Sequence, residues 1–120
     1  MQYMLLIYMN EAEYDRRGAS KNSELLAEYM KLNTDLQARG QLKHGERLEP
    51  TTTATSVRVQ DGKVLKTDGP FAETREQLGG FYIIDAKDHD EAVAIAARVP
   101  GAKFGCVEVR PIMDKTKYAR

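Results

Sequence analysis

The chain has 120 residues, 42% of them hydrophobic and 30% charged, which is typical of one soluble globular domain and excludes a disordered chain. Eighteen Lys and Arg residues offset eighteen Asp and Glu residues, so no overall field favours nucleic acid or an anionic membrane as a partner. The single cysteine, Cys106, excludes an intrachain disulfide and a multi-cysteine zinc site, and this usage is typical of a cytoplasmic protein.

The first part of the chain predicts a strand, a helix and a second strand. Residues 3–9 (YMLLIYM) are apolar at every position, which indicates a strand covered on both faces; the stretch is too short for a membrane span and lacks the features of a secretory signal. A charged loop follows over residues 10–20. Helical periodicity then covers residues 22–40, with Gly40 at the C-terminal cap, and residues 41–50 form an irregular strand. The apolar face of this helix contains Leu25, Tyr29, Leu32 and Leu36, widened by Leu26 and Met30.

The second part predicts a hairpin, a strand, a helix and a last strand. Alternating residues on both sides of Asp61-Gly62 indicate a β-hairpin over residues 54–67. Residues 71–78 are expected to form a short helical turn and residues 79–86 an apolar strand. Asp88 and Glu91 have the spacing of a capping pair at the start of the second helix. The apolar face of that helix contains Ala92, Val93, Ala96 and Val99, and the last strand covers residues 103–112, before a solvated tail over residues 113–120.

This order of elements predicts an α+β fold within a single domain, residues 1–112. The simplest arrangement is a ferredoxin-like βαββαβ sheet with an extra β-hairpin and two helices on one face. Two helices cover only one face of such a sheet, whereas the strands at residues 3–9 and 79–86 are apolar on both. We therefore expect the second face to pack on another subunit, which predicts a homodimer with an α/β-barrel-like assembly.

The stretch KTDGPFAETREQLGGFYIIDAKDHDEA, followed by VEVRPI, resembles the YCII-related families and, within them, the DGPF-domain group. The resemblance covers nearly the whole chain and is centred on residues 68–71 and 79–81. It implies a dimeric ferredoxin-like fold with a cleft between the sheet and the neighbouring subunit. The wider family also implies a His/Asp pair in that cleft and some relatives that act on small ring compounds. The loop ahead of the first helix has no such histidine, and carries Arg16, Arg17 and Asn22 instead.

Asp68 and His44 are the residues that we expect to carry any acid–base chemistry. Asp68 precedes a Gly-Pro turn, where its carboxylate either closes the turn by accepting backbone N–H groups or orients and deprotonates a ligand at the sheet edge. The sequence pattern alone favours the turn. His44 lies beside Glu46 and is either a general base or a surface histidine of an edge strand, and the surface role is favoured. In an enzyme, His44 or Glu76 would assist Asp68 in proton transfer.

The remaining candidates would hold a ligand. Residues 73–76 form either a solvated turn or a polar rim whose Arg75 binds a ligand carboxylate. Tyrosines at positions 8 and 82 are expected to line one cleft, where aromatic rings suit a flat organic molecule as well as ordinary packing. Arg110 shares a strand face with Glu108, so an intersubunit salt bridge is favoured over a ligand anchor. The expected ligand-binding residues are Phe71, Glu73, Arg75, Glu76, Tyr8, Tyr82 and Arg110.

Two functions remain open from the sequence. One is a small cytoplasmic enzyme that converts a small organic molecule by acid–base chemistry with Asp68 and His44. The other is a non-catalytic module that binds a small molecule or regulates a protein partner. Neither requires a cofactor, because the chain has no glycine-rich phosphate loop. We also expect no bound metal, since His44 and His89 match no ligand spacing.

Overall fold

The computed structural model describes residues 1–118 and contains six strands and three α-helices within them. In chain order these elements are β1 (Gln2–Met9), α1 (Glu11–Arg17), α2 (Ala19–Ala38), β2 (Leu42–Arg47), β3 (Thr55–Gln60), β4 (Lys63–Asp68), β5 (Gln77–Asp85), α3 (His89–Ala97) and β6 (Cys106–Pro111). Short 3-10 turns lie at Thr51–Thr53, Pro100–Lys103 and Lys115–Lys117.

The main sheet has the strand order β2-β5-β1-β6, and all of its neighbouring strands are antiparallel. Helix α2 connects β1 to the edge strand β2, and α3 connects β5 to the other edge strand β6. This order and these two crossovers are those of the ferredoxin-like α+β fold. The predicted fold class is confirmed for the single chain.

The core lies between one face of this sheet and the helices α2 and α3. Alternate residues of β1 point into it, because side chains of a strand point to opposite faces in turn. At its centre Leu5 pairs with Tyr82 of β5 and with Val109 of β6. Its buried residues include Tyr3, Leu5, Ile7, Leu32, Leu36, Tyr82, Ile84, Ala92, Ile95, Ala96 and Val99. Both helices therefore lie on one face of the sheet.

The other face of the main sheet, called the open face below, is covered by none of the described residues. It carries Met4 and Leu6 of β1 and Phe81 and Ile83 of β5, all of them half-buried. The molecule is 19 Å across its shortest principal axis, which corresponds to one layer of helices on one layer of sheet. As predicted, β1 and β5 carry apolar side chains on both faces of the sheet, and those on the open face are partly accessible to solvent.

Strands β3 and β4 form a separate two-stranded sheet. Their turn at Asp61-Gly62 has positive φ at both residues, 50° and 75°, which is the conformation of a two-residue type I′ turn. The predicted hairpin is confirmed. Within it every residue except Ser56 is exposed.

Two predicted local structures are wrong. The charged segment expected to be a loop contains helix α1, capped by Asn10, whose side-chain oxygen accepts the Glu13 N–H at 2.9 Å. Acidic residues in its first turn and basic residues in its last turn favour the helix through its dipole. The helical turn expected over residues 71–78 is absent. The segment instead combines a local hydrogen bond, from the Thr74 hydroxyl to the Glu76 carbonyl at 2.5 Å, with hydrogen bonds to the start of α1.

The apolar faces of the long helices are narrower than predicted. On α2 the leucines 25, 32 and 36 are buried, whereas Leu26 and Met30 are 53% and 60% exposed.

On α3 the Asp88 carboxylate accepts the Glu91 N–H at 2.9 Å, as the capping pair predicts. Val93, however, is exposed and Ile95 is buried, because positions 92, 95, 96 and 99 form the stripe with helical spacing.

Among residues 1–118 no helix has both the length and the apolar character needed to cross a membrane. The predicted tail begins with exposed residues over 113–118. Its last two positions, 119 and 120, lie outside the described residues. The domain boundary at residue 112 stays a prediction.

Leu36 and Leu26 allow a matched test of the core on one helix, because Leu36 has no exposed surface and Leu26 is largely exposed. Leu36→Ala should lower the free energy of unfolding by about 2–5 kcal/mol through lost burial and a residual cavity. Leu26→Ala should change it by about 0.5 kcal/mol or less. Urea unfolding monitored by circular dichroism measures both, and equal losses would contradict this packing.

Candidate functional site

Asp68 and His44, the predicted catalytic residues, lie in different sheets. Asp68 ends β4 in the hairpin, opposite Thr55. His44 lies on β2 of the main sheet, where its Nε2 is 3.3 Å from a Glu46 carboxylate oxygen and its ring is 5.8 Å from that of Phe81. No hydrogen bond or ion pair joins Asp68 to His44 within residues 1–118. The expectation that both residues lie on strands of one sheet is wrong, because the hairpin forms a sheet of its own. Their catalytic roles stay a prediction.

Backbone groups, rather than the Asp68 carboxylate, close the turn that follows β4. Gly69, with φ of 98°, donates its N–H to the Ala54 carbonyl at 2.8 Å, and the Ser56 hydroxyl donates to the Gly69 carbonyl at 2.8 Å. The Asp68 side chain is exposed, and Phe71 is 83% exposed. Neither of the two side chains lines either of the two pockets described below.

The loop over residues 73–76 is attached to the start of α1. The Asn10 amide donates to the Arg75 carbonyl at 2.8 Å, and the Gln77 side-chain oxygen accepts the Glu11 N–H at 2.9 Å. Glu73 and Arg75 are exposed and Glu76 is half-buried. Because Asn10 also lines the pocket described below, this loop lies at the edge of that pocket, as a polar rim would.

Tyr8 and Tyr82 lie on opposite faces of the sheet, so the prediction that they line one cleft is wrong. Tyr82 is buried beneath the helices, where its hydroxyl donates to the Asn33 side-chain oxygen. Tyr8 lies on the open face, and its hydroxyl donates to a Glu108 carboxylate oxygen at 3.5 Å.

Arg110 is already paired within its own chain. Its Nε donates to the second Glu108 carboxylate oxygen at 2.6 Å, and this hydrogen bond raises the pKa of the Arg110 guanidinium. The charge of Arg110 is therefore compensated by Glu108. This salt bridge lies within one chain, and the intersubunit salt bridge favoured from the sequence stays a prediction.

A pocket of about 350 Å³ lies at the C-terminal end of β1, and we call it the Arg17 pocket. Helix α1 stops at Gly18, whose φ of 88° suits glycine, and α2 begins directly afterwards. This break places the end of one helix and the start of the next around a single concavity. The residues that line it are Met9, Asn10, Glu13, Tyr14, Arg17, Lys21 and Phe104.

The Arg17 guanidinium is one of three charged groups that line this pocket, with those of Glu13 and Lys21. Its carbon lies 3.9 Å from the centre of the Phe104 ring, which is a cation–π contact. Its Nη1 is buried and has no hydrogen-bond partner among the described residues. Glu13 lies four residues earlier, a common ion-pair spacing, yet no ion pair joins it to Arg17 in this part of the chain.

The walls of the pocket are fixed by contacts behind it. The centre of the Tyr14 ring lies 5.0 Å from the Arg47 guanidinium carbon. The Tyr14 backbone carbonyl accepts a hydrogen bond from the Asn22 side-chain amide at 3.0 Å. The Tyr29 hydroxyl accepts the Gly101 N–H at 3.1 Å and so fastens the turn that precedes Phe104 to α2. Burial raises the pKa of Tyr29, which keeps this phenol neutral.

A second cavity, of about 390 Å³, lies beside Met1, Gln41 and Asp85. Four of its lining residues pair with one another: the Met1 amino group is 3.0 Å from the Asp85 carboxylate, and the Gln41 amide donates to Glu91 at 3.2 Å. Of the two cavities, the Arg17 pocket alone contains a buried cationic atom without a partner among residues 1–118.

The sequence gives little indication of the Arg17 pocket. Arg17 is noticeable only as part of the segment that lacks the expected histidine. Once that segment is recognised as a helix, Glu13, Arg17 and Lys21 follow one another at intervals of four residues. Phe104, which lies far away in sequence, carries no such signal.

Comparison with known proteins places this architecture in a family. The model of the YCII-related domain matches residues 1–116. The chain belongs to the YCII-related domain family. An uncharacterised protein of Rhizobium meliloti (strain 1021) is 35% identical over 114 residues, which are 93% of this chain and 92% of that protein. Assignment to the DGPF-domain group within the family stays a prediction.

A similar fold occurs in a solved enzyme structure. It is 5-chloro-2-hydroxyhydroquinone dehydrochlorinase (TftG) from Burkholderia phenoliruptrix AC1100, in complex with 2,5-dihydroxybenzoquinone. The two structures align with a TM-score of 0.58 over 97% of each chain, and 14% of the residues are identical. At this identity the likeness supports the fold alone.

The burial of the Tyr82 hydroxyl beneath the helices can be tested through its pKa. Burial is the main cause that raises the pKa of Tyr82 to about 12, from the ordinary value of 10.0. The folded state therefore favours the neutral phenol. Its contribution to the free energy of unfolding is fully present below pH 10 and is lost as the pH rises towards 12. Wild type should lose on the order of 2–3 kcal/mol more than Tyr82→Phe over this window.

Denaturant unfolding across the alkaline range measures this difference. Tyr118→Phe is the control, because Tyr118 is 62% exposed; it should follow wild type. At neutral pH Tyr82→Phe also loses its bond to Asn33, which adds a constant offset. Parallel pH curves for wild type and Tyr82→Phe would contradict the burial of this hydroxyl.

Proposed function

We propose that this protein binds a small, flat organic anion in the Arg17 pocket. The observation that carries the proposal is the half-buried Arg17 guanidinium, which stacks on Phe104 and has a buried Nη1 without a partner among the described residues. A cation in such a place costs free energy unless an anion or acceptor compensates it. A ligand that supplies a carboxylate or an ionised hydroxyl would make a charge-assisted hydrogen bond with this guanidinium.

The remaining lining suits a molecule with a single ring. Phe104 and Tyr14 offer aromatic surface, Lys21 offers a second cation, and Asn10 offers an amide. A volume of about 350 Å³ lies at the lower end of the range of ligand pockets, about 300–1,000 Å³. The solved structural neighbour holds 2,5-dihydroxybenzoquinone, a one-ring compound with acidic hydroxyl groups, which supports this choice of ligand class.

Turnover of the bound molecule is the second candidate function. Glu13 lines the same pocket and forms no ion pair within residues 1–118, so its carboxylate is available to accept a proton from a ligand. The enzyme hypothesis is therefore carried by Glu13 rather than by Asp68 and His44.

We also propose a cytoplasmic homodimer that joins two open faces. This proposal is supported by the apolar, half-buried side chains Met4, Leu6, Phe81 and Ile83, which none of the described residues covers. Apolar surface of this kind is characteristic of protein–protein contacts.

Arg17→Gln and Arg16→Gln form a matched pair for testing the ligand site, since the two arginines are neighbours and Arg16 is exposed outside the pocket. Benzoate and 2,5-dihydroxybenzoquinone are the probes, titrated by isothermal calorimetry. Arg17→Gln should weaken binding about 10–150-fold, because a hydrogen bond to a charged group contributes about 1.5–3 kcal/mol. Arg16→Gln should stay within about twofold of wild type.

Equal affinities for wild type and Arg17→Gln would overturn the proposed site. Binding of neither probe by wild type at millimolar concentration would overturn the ligand class. A time course of the ultraviolet–visible spectrum of 2,5-dihydroxybenzoquinone separates the two functions: loss of its absorbance that Glu13→Gln abolishes indicates catalysis, and an unchanged spectrum with retained affinity indicates binding alone.

A further inference from the structure

The two faces of the β3–β4 hairpin differ in composition: one carries three valines beside Thr55, Lys66 and Asp68, and the other carries a single large apolar residue, Leu65. Val59 pairs with Val64, and Val57 pairs with Lys66, so the three valines lie on the same face. Val57 is 58% exposed, Val59 is 68% exposed and Val64 is 61% exposed. The opposite face carries Ser56, Arg58, Gln60, Lys63, Leu65 and Thr67. We call the first of these the valine face.

The valine face is not covered by the body of the same chain. The radius of gyration is 16.5 Å, whereas a compact chain of this length has one of about 14 Å. The hairpin therefore projects from the body as an arm. A two-stranded hairpin alone in water is at best marginally stable and needs a surface against which to pack.

The root of the arm is held in a fixed position. The Thr51 hydroxyl donates to a Glu11 carboxylate oxygen at 2.8 Å, and the Thr51 N–H donates to the other at 2.9 Å. Further along, Ser56 and Gly69 close the base of the hairpin through the bonds described above. An arm fixed in this way presents its valine face in one direction, as an interface requires.

We propose that the arm packs its valine face against a second copy of this chain. The inference rests on the proposed homodimer and extends it. The open face spans four strands of about six residues, a flat area of about 400 Å² at standard sheet spacings. A stable interface buries about 800 Å² from each partner. Two arms, one from each copy, supply the missing area.

A second copy also explains why the arm is amphipathic. In a twofold dimer each chain contributes the same surfaces, so one arm crosses from each copy to the other and the contact is made twice. The opposite face of each arm, with Arg58, Lys63 and Leu65, then remains in water. The three valines are removed from water by the partner chain, so their apolar side chains stabilise the dimer.

Val64→Lys and Leu65→Lys test the arm by the same substitution on its two faces. Both side chains belong to β4 and are exposed, at 61% and 44%, so neither change should prevent folding. Sedimentation velocity over a concentration series should show a dimer for wild type and for Leu65→Lys, with dissociation constants within about twofold. Val64→Lys should raise the dissociation constant at least tenfold, because it places a charge in the interface.

Met4→Lys on the open face, with folding checked by circular dichroism, separates this inference from the proposed dimer. If Met4→Lys weakens the dimer and Val64→Lys does not, the open-face dimer stands and the arm proposal is overturned. If wild type is a monomer throughout, both are overturned. Binding of benzoate in the Arg17 pocket is measured independently of either result.

Discussion

The fold depends on one strand that is apolar on both faces. β1 lies in the middle of the main sheet, between β5 and β6. Its residues Tyr3, Leu5 and Ile7 bury one face against α2 and α3, and this contact supplies the core. The alternate residues make the other face apolar as well, and no layer formed by residues 1–118 covers it. A thin, one-sided domain is the direct consequence.

The Arg17 pocket follows from how the chain leaves this strand. After β1 the backbone turns through α1, breaks at Gly18 and enters α2, so Arg17 comes to lie over Phe104. The turn before Phe104 is fastened to α2 through Tyr29. The guanidinium is thus positioned by packing from two distant parts of the chain, while its charge is left without a carboxylate partner among the described residues. Binding of an anion is the function that best matches this combination.

Much of the fold could be predicted because its signals are local. The Asp61-Gly62 turn and the Asp88 cap each depend on a few adjacent residues, and both are present. Helix α1 has seven residues, too few for a helical period to be recognised. The hairpin is a correct local prediction, but its pairing only with itself is a tertiary feature, which is why Asp68 and His44 are separated.

The site was harder to predict for a similar reason. Where a strand is apolar at every position, as in β1 and much of β5, alternation does not tell which residues face the helices. The sequence therefore predicts one face for Tyr8 and Tyr82, although they lie on opposite faces.

The most direct test of the central claim is a crystal structure of the protein soaked with 2,5-dihydroxybenzoquinone. We expect the compound to lie in the Arg17 pocket, with one ionised oxygen within hydrogen-bond distance of the guanidinium and its ring close to Phe104 or Tyr14. Occupation of the open face beside Tyr8 instead, with the Arg17 pocket unoccupied, would contradict the account and move the site to the dimer interface.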